Sequence, residues 1–199
     1  MPNAEQGIQK ADVMKGGHRL RRSLARSHAQ SVEHRDAPRQ QMTDYVKFES
    51  VSLKGHAEFN ERWVQARIAD DPAILGLGDV ILKDKERIQP RAGRLDLLLQ
   101  DAEENHRYEV EVQLGSTDES HIIRTIEYWD IERKRYPQYE HTAVIIAENI
   151  TARFLNVISL FNGMIPLIAV QMSALKLDDR LGLVFTKVLE KNDSWTCRR

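Results

Sequence analysis

Two short stretches put acidic side chains where acids are costly. In Gly93-Arg94-Leu95-Asp96-Leu97-Leu98-Leu99, Asp96 stands inside an otherwise apolar run. A carboxylate there is unfavourable unless it is paired or ligates something. In Tyr108-Glu109-Val110-Glu111-Val112-Gln113-Leu114-Gly115, polar and apolar residues alternate. A strand has a two-residue side-chain period, so Glu109, Glu111 and Gln113 share one face and Val110, Val112 and Leu114 the other. Two acids on one buried face repel each other, and burial disfavours their charge. A divalent cation bound between Asp96 and Glu111 would relieve both costs, and two carboxylates with a backbone oxygen and waters suit Mg²⁺. The competing reading pairs Asp96 with Arg94 or Arg124 and leaves the glutamates on a solvated sheet face.

The elements that must position these residues follow from periodicity and breakers. Glu58 to Ala69 predicts a helix, with Phe59, Trp63, Ala66 and Ile68 near one face and a stop at Asp70-Asp71-Pro72. Val80-Ile81-Leu82 opens a strand, Gly93 to Gln100 forms a second and Arg107 to Leu114 a third. The polar stretch 101–105 between the last two predicts a hairpin. A helix over 118–135, a buried strand over 142–147, a helix over 151–161 and strands over 165–172 and 181–189 complete the order. This predicts a mixed α/β layer architecture.

Asp96, a hairpin turn and Glu111-Val112-Gln113 together resemble the motif of the PD-(D/E)XK superfamily of restriction-endonuclease-like nucleases, with Gln113 at the lysine position. Gly93 and Gly115 resemble the branch with Gly-Arg-x-Asp and Glu-x-Lys-x-Gly. Glu61 stands where family members often carry a further metal-site glutamate, and Arg124 and Tyr128 stand where several branches have Gln-x-x-x-Tyr. The resemblance covers about residues 56 to 150. It implies a mixed central sheet flanked by helices, and a Mg²⁺- or Mn²⁺-dependent phosphodiester hydrolase acting on DNA. It implies Asp96 and Glu111 as metal ligands, Glu61 as a further one and Glu109 as the alternate if the motif is read one step earlier. Gln113 would orient water, Arg124 would supply the missing cation and Tyr128 would support the site. A scaffold of this kind that has lost catalysis and binds nucleic acid or assembles with partners is the second expectation. A homodimer is compatible with both.

Composition sets outer bounds. Net charge is −1 over 199 residues, which neither announces nor excludes a nucleic-acid binder. The single cysteine, Cys197, rules out an internal disulfide and multi-cysteine zinc sites, which fits a reducing cytoplasm. The most apolar window, Phe154 to Met172, is interrupted by Asn162, Gly163 and Pro166 and reads as helix, turn and strand instead of a membrane span. Residues 1–41 hold eight Lys/Arg, four acids and no aromatic residue. They read either as a flexible basic arm or as the product of an early start site, with Met42 opening the nuclease-like domain over 42–199. Trp63 and Trp129 are expected in the core, and His56, His106, His121 and His141 in hydrogen-bonded or solvated positions without metal-ligand spacing. Ser116, Thr117 and Asp118 read as a turn and helix N-cap, and Gly76-Leu77-Gly78 as a turn.

Overall fold

The computed structural model describes residues 45–192. The basic segment 1–41 and Cys197 lie outside them. In chain order the elements are β1 (Glu49–Val51), α1 (Glu61–Asp70), a 3-10 turn (Pro72–Leu75), β2 (Val80–Gln89), β3 (Gly93–Asp101), β4 (His106–Ser116), α2 (Glu119–Arg135), β5 (Glu140–Asn149), α3 (Ala152–Phe161), β6 (Leu167–Leu177) and β7 (Arg180–Leu189). The α/β class, with a mixed central sheet flanked by helices, is as the residues imply.

The seven strands form one sheet in the order β1-β6-β5-β4-β3-β2, with β7 also paired to β6. β2, β3 and β4 form an antiparallel meander, and β4, β5 and β6 run parallel. The expected β3–β4 hairpin is present, closed by Asp101, whose Oδ1 accepts from the Glu103 and Glu104 amides. The β4-to-β5 crossover is α2 and the β5-to-β6 crossover contains α3. These helices fall where parallel neighbours require a long connection.

Strand alternation divides the core into two layers. Leu97, Leu99, Val110, Val112, Val144, Ile146 and Val170 point toward α1, packing with Val64 and Ile68. Ala143, Ile145, Ala147 and Ala169 point the other way, against Ile122 and Trp129 of α2 and Ile158 of α3. α1 begins three residues later than expected and, of the expected stripe, fully buries only Ile68, together with Val64 and Gln65. Asn60 decides the start, because its side chain accepts from the Trp63 amide at 3.1 Å and leaves residues 58 and 59 outside the helix. Phe59 and Trp63 pack from the flank of that core, Trp63 being only partly buried. Trp129 is buried, and its indole N–H donates to the His141 carbonyl at 3.0 Å. β1 has no counterpart among the expected elements; three residues with no buried run give little pattern to read.

Candidate metal centre and the carboxylate fork

The β3–β4 ladder runs from Gln100↔Arg107 to Leu97↔Val110 and stops. Beyond that point β3 stays with β2 while β4 stays with β5, so the two strands part. Side chains replace the missing ladder. The Asp96 amide donates to Glu111 Oε1 at 3.0 Å, and the Val112 amide donates to Asp96 Oδ2 at 2.8 Å. Each carboxylate thus caps the strand that carries the other, and the two acids are held together at the mouth of the fork.

The pair is short of positive charge. Arg124 from α2 approaches Glu111 Oε2 at 3.6 Å, with its own side chain about half exposed. Burial raises the Glu111 carboxyl to about 8, with the Asp96 charge adding to the shift. Burial likewise raises Asp96 to about 6, helped by the charge of Glu61. Glu61, at the first position of α1, is itself raised by lost hydration while it accepts from the Leu114 amide. Three carboxyls from β3, β4 and α1 therefore feel one another, and Arg124 only partly offsets them.

The other predicted residues are placed as follows. Gln113 donates to Asp118 Oδ2 at 2.8 Å, while its Oε1 is buried without a partner. Asp118 is also the expected N-cap of α2, accepting from the His121 amide. Tyr128 lies beneath the β2–β3 turn, where its hydroxyl donates to the Ala92 carbonyl at 2.9 Å and accepts from the Arg94 amide at 3.1 Å. A Cβ on Gly93 would sit 2.7 Å from that oxygen, and φ at Gly93 is +109°, so this position needs glycine. Arg94 pairs with Glu86 at 3.4 Å and not with Asp96. Glu109 shares the face of Glu111 but is fully enclosed, with Oε1 2.7 Å from His141 Nδ1. Burial lifts Glu109 to about 7, and the His141 contact opposes that rise. Its proximity to Glu132 of α2 shows that it faces a second polar cluster away from the fork.

The four histidines among the described residues are hydrogen-bonded, and three of them are buried. His121 Nε2 lies 3.3 Å from the Glu111 carbonyl, His106 Nε2 lies 2.8 Å from Thr142 Oγ1, and His56 Nδ1 accepts from the Glu58 and Phe59 amides. Two residues near the fork escaped the sequence reading. Glu148, at the end of β5, accepts from the Leu53, Lys54 and Gly115 amides. For Asp118 the sequence signals a helix cap and not its bond to Gln113. The signal for Glu148 is an acid that closes the apolar run 143–147, where Asp96 interrupts one.

The donor chemistry fits a hard cation. Mg²⁺ is commonly held by one or two carboxylates and retains several waters, so a pair such as Asp96 and Glu111 would be enough to hold it. Among the described residues no three His, Cys, Asp or Glu side chains are gathered into a ready ligand set, so Glu61 does not join Asp96 and Glu111 in one.

No protein-family model matches the chain, and no curated protein matches it. Among solved structures it is similar to an EndoMS complex with double-stranded DNA, at 14% identity and TM-score 0.48 over 64% of this chain and 49% of that one. It is also similar to a repair endonuclease from Pyrococcus abyssi, at 16% identity and TM-score 0.44 over 60% of this chain and 46% of that one. The chain spans about half the length of these structures, and likenesses this distant carry no conclusion about its chemistry.

Proposed function

We propose that the chain is a Mg²⁺- or Mn²⁺-dependent nuclease that hydrolyses DNA phosphodiester bonds at the carboxylate fork. The observation that carries this reading is the reciprocal capping of Asp96 and Glu111, which holds two acids together in a low-dielectric opening. A divalent cation bound there would acidify water and polarise a phosphoryl oxygen. Asp96 and Glu111, with the Val112 carbonyl, would hold it, and Glu61 would orient its waters. Arg124, half exposed and already beside Glu111, can swing to a phosphate oxygen and balance the charge that develops there. Gln113 offers an amide to orient the nucleophile once its bond to Asp118 is exchanged. Tyr128 fixes the turn that precedes Asp96 and so acts as a positioning residue.

A second reading, a nucleic-acid-binding or assembly module without catalysis, is favoured by the same contacts in their present state. Gln113 is spent on Asp118 and Arg124 on Glu111, so in this arrangement Gln113 orients no water and Arg124 balances no charge beyond that of Glu111. One experiment separates the two. The wild-type chain should cleave supercoiled or linear DNA with Mg²⁺ or Mn²⁺ and not with EDTA, and Asp96→Ala should abolish cleavage. DNA binding without cleavage under any divalent cation would favour the module. Undiminished cleavage by Asp96→Ala would remove Asp96 from the site.

A further inference from the structure

A polar cavity of about 380 Å³ opens where β4 and β5 end, beside β1 and the middle of β6. Its walls include Ser50, Ser52, Lys54, Ser116, Asn149 and Ser173. Four hydroxyls, one carboxamide and one ammonium give many donors. The acid in the wall, Glu148, is already committed to three backbone amides, Leu53, Lys54 and Gly115. Its charge therefore holds the wall together. Lys54 is exposed and its ammonium pairs with no carboxylate among the described residues. Asn149 reaches Ser116 Oγ at 3.1 Å, so those two side chains are set side by side.

The cavity is joined to the fork by one strand. β4 loses its regular register with β5 between Gln113 and Ser116. Within that irregularity the Leu114 amide faces Glu61 closely enough to lower its carboxyl, and the Gly115 amide donates to Glu148. The acid cluster and the cavity wall thus meet across a single peptide. Gly115 is what lets Lys54 lie there: a Cβ would stand 2.5 Å from Lys54 Cδ, and φ is +79°. At roughly 3.3 Å per strand residue, the four steps from Glu111 to Gly115 span about 13 Å. That is the reach of three or four phosphates along a duplex axis at about 3.4 Å each.

We propose that this cavity is the subsite for the DNA strand flanking the bond to be cut, with the Lys54 ammonium on a backbone phosphate and Ser116 and Asn149 beside it. The subsite rests on the nuclease reading and extends it by naming where the flanking strand lies. The donors are of the kind that contact phosphate and sugar without reading sequence, so the subsite grips DNA irrespective of base.

The test uses the full chain carrying Asp96→Asn, which keeps an acceptor for the Val112 amide and prevents turnover. Binding of fluorescein-labelled 20-nucleotide single strands and 20-base-pair duplexes is followed by anisotropy over a salt series. Adding Lys54→Met preserves the methylene packing over Gly115 and removes the charge. It should weaken binding about fivefold and flatten the slope of log affinity against log salt by about 0.9 for duplex or about 0.7 for single strand. Whichever DNA shows that loss is the form held. Lys54→Arg should retain both affinity and slope. Equal affinity and slope with Met at position 54 overturns the subsite and leaves the nuclease reading standing. No DNA binding at all also overturns the subsite, and the nuclease reading is then decided separately by Mg²⁺-dependent cleavage with the wild-type chain.

Discussion

At the residue scale, Glu111 carries the main electrostatic cost of the fork. The unfolded chain ionises it near its ordinary value of 4.5, while the folded chain keeps its proton up to about 8. Between those values the folded state binds more protons than the unfolded one, so this group lowers stability as pH rises. Glu111→Gln keeps an oxygen for the Asp96 amide and removes the charge. In EDTA it should match the wild type near pH 4.5 and exceed it by roughly 1–3 kcal/mol near pH 8.5, read as thermal midpoints. His106 and His121, both lowered to about 4 by burial, act in the opposite sense, losing stability as pH falls below 6.5. The comparison of variant with wild type therefore isolates Glu111, where the wild-type profile alone would not. Added Mg²⁺ should raise the midpoint of the wild type at pH 8.5 and do less for the variant, through binding to the folded state alone. An identical rise in both would take Glu111 out of the ligand set.

At the scale of elements, the position of Asp96 depends on how α2 grips the β2–β3 turn. Arg91 and Gly93 both have positive φ in that turn, at 66° and 109°. The Tyr128 hydroxyl, from a side chain 2% exposed, holds it from below. Tyr128→Phe leaves a backbone donor and acceptor without their partner and should cost about 1–3 kcal/mol by urea denaturation. The amide of Arg94 should then exchange with solvent faster, whereas a purely hydrophobic role for Tyr128 would leave that rate unchanged. The aromatic residue at this position was legible from its spacing in the helix. Its task was not, because the atoms it bonds are 34 and 36 residues earlier in the chain. The same holds for Glu109: alternation placed it on the face of Glu111, but its partner His141 arrives only through the parallel pairing of β4 with β5.

At the scale of the whole described unit, β5, like β6, gives side chains to both cores. Ile145 packs toward α2 and α3, Ile146 toward α1, and both are fully buried. Truncating either to alanine should cost about 2–5 kcal/mol. Each variant should still unfold in one transition seen alike by far-UV circular dichroism and tryptophan fluorescence, since both layers lean on the same strand. Two separated transitions would show that the layers unfold independently. The sequence alone determined the α/β class, the β3–β4 hairpin and the face shared by Glu109 and Glu111, because these follow from side-chain period and turn residues within a few positions. Only the tertiary structure decided that the ladder parts at Leu97↔Val110, that Asp96 and Glu111 cap each other's strands, and that Lys54 and Glu148 meet at Gly115. Those outcomes depend on which distant segments compete for the same backbone donors, and local spacing holds no record of that competition.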